Sequence, residues 1–493
     1  MQDELLASVT PEEAKRQYHP QLGSLNWLFG RGVYLELYWL REQLAGDDSL
    51  TQRVSQLFTP GDLSLEAQCA QLPPSDHLRN WAAEVRDDHL MRLANPSMLG
   101  SSPLLENERL QWFLVQEQAK LYEQMLLVLN QRQLQLAAPD HQTKHPLQPR
   151  PIEWQTKELS QGHYRIGSRH LPSAYDNELP PQLVELSSFR IALSPVSNGQ
   201  YLAFMQAGGY ATPEHWDKAG SNWLAQTDCK APEYWRHDAN GNWYQIGLNG
   251  AIDLMADEPL AGINRHEARA FAAWVSSQGK PYEGAVVQHE YQWEIAVRTK
   301  VLRDFGRSWE WCKNDFHGYP EFQPFPDESV SSSAFTPDMG VLRGGSLHTQ
   351  RVLRRSSFRQ SAPPDQRFQL SGLRLVFPAL APLDLTRRPA RRSAFPALLT
   401  KVTILPAATQ DQARLAGIGD ETGDGGWQSM PIQSIVTPAL QGIQRSFQGM
   451  RPGRRQHQQC HSGATRQLTP SDLSRALLEM KQHAHQRQVP LCK

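Results

Sequence analysis

Residues 112–134 read WFLVQEQAKLYEQMLLVLNQRQL, and their pattern sets the fold of the first part of the chain. Apolar side chains recur there at spacings of three and four, which places them on one stripe of an α-helix. The stretch therefore predicts a long, half-buried helix. Glu117 and Leu121 lie one turn apart on one face of that helix, the spacing at which two side chains can reach a metal or a partner helix.

Three more amphipathic helices precede this one. Thr10-Pro11-Glu12-Glu13 has an N-cap, a proline at the first helical position and acids in the first turn. A second helix is predicted from Leu25 to Leu44, and a third is predicted to begin after Pro73-Pro74-Ser75-Asp76, with Ser75 or Asp76 as its N-cap. The opening stretch is the fourth helix, starting at Asn107 or Glu108. The inward side chains predicted for the third helix are Leu78, Trp81, Val85, His89 and Leu90.

Residues 1–136 are therefore predicted to form a four-helix bundle. In such bundles functional groups come from facing helices. A purely structural bundle fits the same pattern, so both alternatives stay open on the pattern alone.

The whole chain has 493 residues, a formal net charge of −1 and five cysteines. Its length predicts two or three domains, and its charge gives no global attraction to nucleic acid or membrane. No run of eighteen apolar residues occurs, and the N-terminus lacks an apolar segment after its charges. We therefore expect a soluble, cytoplasmic protein. The cysteines have neither a CxxC pair nor a zinc spacing, which argues against disulfides and structural zinc.

The pattern changes after the first 136 residues. Residues 137–151, AAPDHQTKHPLQPRP, have no periodicity and are predicted to be a linker. Residues 152–377 alternate short apolar runs with turn residues, and contain predicted helices at Ser197–Ala207 and Asn264–Gln278 and a final strand at 372–376. This pattern is typical of a compact α+β domain with much irregular backbone.

The remaining residues, 378–493, form a basic tail. Arginines stand among Pro, Gly, Gln and Ser with few acids, which predicts disorder with one short helix at Ser471–His483. Such a tail attracts acidic partners weakly and nonspecifically. Because aromatic residues do not alternate with the basic ones, we interpret the tail mainly as solvated chain.

Several ordered motifs resemble those of one protein family. YDNELP, LSPVSNGQYLAFMQAGGY, GRSWEWCKNDFHGYPEF, VLRGGS and SGLRLV occur in the order found in the formylglycine-generating-enzyme fold, a C-type-lectin-like domain. Together with YHPQLGSLNWLFG and the opening stretch, they resemble the ergothioneine-type sulfoxide synthases, in which a DinB-like four-helix bundle precedes that domain. The resemblance covers roughly residues 15–377 and implies an α+β protein of those two parts.

The same resemblance implies a non-haem iron(II) site held by three histidines. Neutral imidazoles bind Fe(II) and leave positions open for O2 and a thiolate. In this sequence the three positions fall on Arg31, Glu117 and Leu121. Leucine cannot bind a metal, and arginine is a permanent cation. We therefore predict that no metal binds here and that Arg31 and Glu117 form an ion pair in its place.

The substrate side of the implied site is also altered. Tyr319 is the candidate for a retained substrate-side or catalytic tyrosine, with a core aromatic as the alternative. Ala362, Gln366 and Arg367 occupy the stretch that contacts substrate in the family, where Ala362 offers no polar group. The family's copper-dependent thiol oxidases use two cysteines in this region, but only Cys312 is present, so copper chemistry is disfavoured. The segment between Arg298 and Gly306 is shorter than is usual in the family.

Three functions remain open on the sequence. The first is a non-catalytic relative that binds a small molecule or a partner in or near ergothioneine-type sulfur metabolism. The second is an active Fe(II) oxygenase that joins a thiol to a histidine betaine at a relocated metal site. The third is a scaffold that pairs with an intact homologue.

Overall fold

The computed structural model describes residues 1–380 apart from 60, 62, 137–139, 170 and 171. Nearly all of the predicted tail, with its helix at Ser471–His483 and with Cys460 and Cys492, lies outside the described residues. Within the described part, no helix combines the length and apolar character that a membrane span needs.

The first region is helical throughout. Its helices are α1 (Gln2–Ala7), α2 (Pro11–Lys15), α3 (Leu25–Leu37), α4 (Thr51–Phe58), α5 (Leu65–Gln71), α6 (Ser75–Ala94) and α7 (Arg109–Leu136), with a π-helical segment at Tyr38–Gln43. The three long helices α3, α6 and α7 pack together and the short ones cover them. The region thus contains more and shorter helices than the four predicted.

The predicted helix starts are confirmed only in part. The predicted Ser75 or Asp76 cap was wrong, because α6 has Pro74 at its N-cap position and no side-chain hydrogen bond caps it. Thr10 caps α2 in a full capping box, which confirms that prediction. The second predicted helix is α-helical only to Leu37. The fourth begins at Arg109, because Asn107 and Glu108 both have positive φ. The prediction that Leu90 faces inward was wrong, since its side chain is 52% exposed.

Helix α7 is buried more extensively than a single apolar stripe requires. Every residue of the run Met125–Gln131 is buried. One part of the helix belongs to an apolar cluster with Leu25 and Phe29 of the bundle. Another part, including Phe113, belongs to a cluster with Trp309 of the second region. The helix therefore contacts both halves of the molecule.

The second region mixes helices and short strands. Its helices are α8 (Asn198–Gln206), α9 (Lys218–Ala225), α10 (Arg265–Ser277), α11 (Glu290–Arg298) and α12 (Glu328–Ser331). Its strands are β1 (Thr156–Leu159), β2 (Gly162–Ile166), β3 (Gln182–Leu186), β4 (Phe189–Ala192), β5 (Trp235–His237), β6 (Trp243–Gly247), β7 (Gly250–Asp253), β8 (Val286–Val287), β9 (Trp309–Asp315), β10 (Gly340–Arg343), β11 (Gln360–Ala362), β12 (Ser371–Leu373) and β13 (Leu375–Pro378). The predicted α+β class is confirmed.

The strands form four small sheets. Two have four strands, in the orders β1-β4-β13-β8 and β11-β10-β9-β12, and the others are the hairpin β2-β3 and the meander β5-β6-β7. All pairings are antiparallel except that of β12 with β9. The predicted final strand is divided at Arg374 between two of these sheets.

Three buried arginines stabilise the second region through matched carboxylates. Arg374 donates to both carboxylate oxygens of Glu310 at 2.8 Å, and Arg359 binds Glu290 in the same bidentate way at 2.8 Å. Arg343 donates to Glu294 at 2.6 Å. All six side chains are at most 4% exposed. Such pairs are tolerated in a core because each charge has a partner, and removing one partner is strongly destabilising.

The segment predicted as a linker is bound to the second region where it is described. His141 contacts the Asp253 carboxylate at 3.0 Å, and the backbone N–H groups of Lys144 and His145 donate to the same side chain. Leu147 is buried in the main apolar cluster. These contacts fix the chain between the helical region and β1.

Candidate functional site

Arg31, Glu117 and Leu121, the positions that the resemblance assigns to metal ligands, lie on α3 and α7. Leu121 is 7% exposed and belongs to the apolar cluster of the bundle, which also contains Phe29, Met125 and Phe368. Phe368 comes from the loop before β12 in the second region. Leu121, the position at which the resemblance implies a histidine, thus packs among hydrocarbon side chains.

Glu117 binds groups other than Arg31. Its Oε1 accepts hydrogen bonds from Lys120 Nζ at 2.8 Å and from the Tyr175 hydroxyl at 2.7 Å. The Lys120 ammonium also lies 4.4 Å from the centre of the Tyr175 ring. Burial, followed by the charge of Glu117, raises the pKa of Tyr175 well above its ordinary value. Glu117 therefore joins the bundle to the YDNELP loop of the second region.

Arg31 lies in a separate environment. Its guanidinium donates to the Phe58 carbonyl and lies 5.5 Å from the centre of the Tyr34 ring. Lys120, one turn from Glu117 on the same helix, takes the ion-pair position. The predicted Arg31–Glu117 ion pair was wrong for this reason. The Glu117 charge still acts on Arg31 at longer range, where it opposes the burial that lowers the arginine's pKa.

These residues do not fit the iron centre that the resemblance implies. One of the three positions is hydrocarbon, one is a cation, and the carboxylate at the third already accepts two hydrogen bonds. Over the described ranges, no group of three or more His, Cys, Asp or Glu side chains is arranged to hold a metal ion. We therefore derive no chemistry through iron.

A second carboxylate on α7 connects the two regions through three hydrogen bonds. Glu123 Oε1 accepts hydrogen bonds from Trp309 Nε1 at 2.8 Å and from the Ser346 and Thr349 hydroxyls at 2.9 Å. Burial raises the pKa of Glu123, opposed by these three hydrogen bonds. The helical periodicity did not single out Glu123 as a functional residue. The available signal was one acid within the run of apolar residues from Leu121 to Leu129.

The VLRGGS motif shapes the other side of this contact. Gly344 and Gly345 have φ of +96° and +83°, a region that favours glycine. A Cβ on Gly345 would approach the Thr349 side chain to 3.3 Å. The turn thereby places Ser346 and Thr349 against Glu123. In this chain the motif serves the contact between the two regions.

The substrate-side candidates lie in different places. Tyr319 is 3% exposed, packs in a cluster with Ile166 and Trp293, and has the Arg359 guanidinium 4.3 Å from its ring centre. Its surroundings are those of a core aromatic. Ala362 is buried in β11 opposite Gly340. Gln366 is half-buried in the loop that follows β11.

Arg367 lies beside an open groove of about 330 Å³. It donates to Glu267 at 3.0 Å and to Glu233 at 3.1 Å. Glu267 also accepts from the Tyr210 hydroxyl at 2.5 Å and from the Cys229 thiol at 3.5 Å. Burial, with the charge of Glu267, raises the pKa of Cys229 far above its ordinary value, so the thiol is neutral. The residues that line the groove include Asp228, Lys230, Trp235, Arg236, His237 and Trp243.

Comparison with known proteins finds relatives for both regions of the chain. A model of the sulfatase-modifying factor enzyme 1-like domain matches residues 155–308. The hercynine oxygenase of Mycolicibacterium smegmatis is 27% identical over 422 residues, which cover 76% of this chain and 95% of that protein. The hercynine oxygenase of Mycobacterium tuberculosis is 27% identical over 244 residues, covering 42% of this chain.

The extent of these matches differs among relatives. The chain spans 56% of the length of the Mycobacterium tuberculosis relative. Ergothioneine biosynthesis protein 1 of Schizosaccharomyces pombe is 26% identical over 232 residues, which are 41% of this chain and 27% of that protein. Both regions of the fold therefore have relatives with related names, and the chain is similar to hercynine oxygenases and to an ergothioneine biosynthesis protein.

Proposed function

We propose that this chain is a non-catalytic member of its family, which acts by binding a small molecule or a partner in ergothioneine-type sulfur metabolism. The observation that best supports the proposal is the state of α7, where Leu121 lies in an apolar cluster and Glu117 is bound by Lys120 and Tyr175. A histidine-based iron site cannot form from these side chains.

The groove beside Arg367 is the place where we expect a small molecule to bind. Its volume of about 330 Å³ is at the lower end of the range typical of ligand sites. Lys230 and Arg236 can bind a carboxylate, Glu233 can bind a cation, and Trp235 and Trp243 provide aromatic faces. A zwitterion such as hercynine, named in the relatives, matches these groups. An intact homologue of this chain is the alternative partner.

The second candidate function is an active oxygenase, and the names of the relatives favour it. Elemental analysis of the purified full chain separates the two. We expect far less than one iron per chain and no oxygen uptake when hercynine and a thiol are added, with the Mycolicibacterium smegmatis enzyme as positive control. Stoichiometric iron together with hercynine-dependent oxygen uptake would establish the oxygenase.

Binding is measured separately by calorimetry with hercynine. We expect heat of binding that Arg236→Gln weakens about tenfold, because one charged contact to a ligand carboxylate is worth roughly 1.5 kcal/mol. The matched control is Arg53→Gln, at an exposed position on α4. Absence of both hercynine binding and an intact homologue in co-purification would refute the proposal.

A further inference from the structure

A small cavity lies between the first turns of α7 and two loops of the second region. Its volume of about 10 Å³ is roughly the space of one water molecule. The side chains that line it include three aromatic ones, Phe113, Tyr175 and Phe325, and three polar ones, Arg109, Gln116 and Asp176. The Phe113 ring lies edge-on to the other two rings, 6.1 Å from the centre of the first and 6.4 Å from that of the second. The cavity is separate from the groove beside Arg367.

Arg109 contacts this cavity without a hydrogen-bonded partner. Its guanidinium lies 3.8 Å from the centre of the Phe325 ring. Among the residues that the structure describes, no group forms an ion pair or a hydrogen bond with this side chain, and its Nε is buried. Burial lowers the pKa of Arg109, and the charge of Asp176 opposes that change. An aromatic face and a carboxylate beyond hydrogen-bond distance therefore hold this cation.

Gln116 brings an unused acceptor to the same cavity. Its side chain is 1% exposed, and its Nε2 donates to the Trp112 carbonyl at 3.1 Å. Its Oε1 is buried and has no donor in the described part of the chain. A buried carbonyl oxygen without a donor is unfavourable. The cavity therefore favours a ligand that carries both a positive charge and N–H donors.

We propose that the cavity and the space filled by the Arg109 side chain form one binding site for a small guanidinium compound, with Arg109 as its internal occupant. The ligand takes the place of Arg109 on the Phe325 ring and also donates to Gln116 Oε1. Asp176 supplies the opposite charge. Its carboxylate is fixed beside the ring, because it accepts from the Phe325 backbone N–H at 3.0 Å. The proposal does not rest on the proposed function.

The position of Arg109 in the chain allows it to leave the site. It is the first residue of α7, and the positive end of the helix dipole disfavours a cation there. The two residues before it, Asn107 and Glu108, have φ of +54° and +59° and interrupt the helix. Glu106 and Glu108 are exposed and can pair with the guanidinium outside the site. A ligand thus competes with a side chain that no hydrogen bond retains.

Binding of methylguanidinium to the full chain tests the proposal. It is measured from the broadening of the ligand's methyl proton resonance over a concentration series. In Arg109→Ala we expect saturable binding with a Kd of the order of 1 mM. In the unmodified chain we expect binding about tenfold weaker, because Arg109 competes for the same ring. The matched control is Arg53→Ala, at an exposed position on α4, which should bind as the unmodified chain does.

Tetramethylammonium tests the part played by the N–H donors. It has the same charge and methyl protons but no donor, so we expect it to bind Arg109→Ala about tenfold more weakly than methylguanidinium does. The double variant Arg109→Ala/Gln116→Met removes the acceptor and keeps a side chain of similar volume. It should weaken methylguanidinium binding about tenfold relative to Arg109→Ala.

Several outcomes would overturn the proposal. They are equal binding of the two cations to Arg109→Ala, equal methylguanidinium binding to Arg109→Ala and Arg53→Ala, and unchanged binding when Gln116→Met is added. Cooperative urea unfolding shows whether Arg109→Ala is folded. If it is not, the unmodified chain provides the test, since its weaker binding of methylguanidinium should disappear in Phe325→Leu. Binding that persists in Phe325→Leu, or no saturable binding to any of these chains, would also overturn the proposal.

Discussion

Replacement of Glu123 tests the contact between the helical region and the second region. Glu123→Ala removes the only acceptor shown for the Trp309 indole N–H and an acceptor of the Ser346 and Thr349 hydroxyls. The two hydroxyls lie 3.3 Å apart and can bond each other, but the indole cannot rotate to a new acceptor. One unsatisfied buried donor costs about 1–3 kcal/mol, and the lost side chain leaves a cavity. We expect a loss of about 3–5 kcal/mol in the free energy of unfolding.

Glu123→Gln separates the hydrogen bonds from the charge. All three donors use Oε1 of Glu123, and an amide oxygen can accept the same bonds. We therefore expect Glu123→Gln to lose only about 1 kcal/mol at neutral pH. Gln124→Ala on the same helix, at a half-buried side chain, serves as the matched control and should stay within about 0.5 kcal/mol of the unmodified chain.

The pH dependence of the free energy of unfolding tests the role of Glu123 independently. Because burial raises the pKa of Glu123 in the folded state, the unfolded chain releases this proton at lower pH than the folded chain. The contribution of Glu123 to the free energy of unfolding is therefore complete below the ordinary glutamate pKa. It is lost as pH rises through the pKa that Glu123 has in the folded chain. In Glu123→Gln, the free energy of unfolding should not show this dependence on pH, because glutamine does not titrate.

Urea unfolding followed by tryptophan fluorescence measures these free energies over a pH series. The role given to Glu123 is refuted if the free energy of unfolding of Glu123→Ala lies within about 1 kcal/mol of that of the unmodified chain. This threshold is the order-of-magnitude cost of one unsatisfied donor. The same role is also refuted if Glu123→Gln is as unstable as Glu123→Ala.

Three further substitutions test other parts of the description. Arg367→Ala should destabilise by about 3–5 kcal/mol in urea unfolding, because it leaves the buried Glu267 carboxylate without its arginine; a loss below 1 kcal/mol would contradict this. Tyr175→Phe should cost about 1 kcal/mol, the value of its hydrogen bond to Glu117, and no change would mean that the bond is not formed. Burial lowers the pKa of His348 to about 4. The contribution of neutral His348 to the free energy of unfolding is therefore present above the ordinary histidine pKa and is lost as pH falls toward about 4. His348→Gln should remove this pH dependence from the unfolding free energies.

Local patterns predicted the parts of the fold that neighbouring residues determine. The α7 helix and the Thr10 cap follow from spacing and side-chain chemistry within a few positions, and the cap is present. The inward placement of Leu90 failed because spacing gives the face of a helix without showing how far the neighbouring elements extend along it. Burial of a side chain depends on which element packs against it, and the spacing of residues within one helix does not show that element.

The contacts of the candidate site depend on residues that are distant in sequence. Glu117 and Tyr175 are 58 positions apart, and Glu123 and Thr349 are 226 apart. A single sequence shows which charges exist and gives no distance between them. The predicted Arg31–Glu117 pair assumed that two replaced ligand positions stay together, whereas Lys120 needed only one helical turn to reach Glu117. Lys120 pairs with Glu117 because both lie on the same helix, one turn apart.

Buried charged groups in the second region and along α7 are matched by other protein groups. In the second region, buried arginines are matched by carboxylates on the neighbouring helix and strands. At the boundary with the bundle, Glu117 and Glu123 of α7 receive five hydrogen bonds from protein groups, four of them from the second region. A buried carboxylate or imidazole without a partner would leave a polar group unsatisfied, and Leu121, which lies in an apolar cluster, carries no such cost. The same α7 contacts that hold the two regions together therefore make the replaced positions stable as they stand.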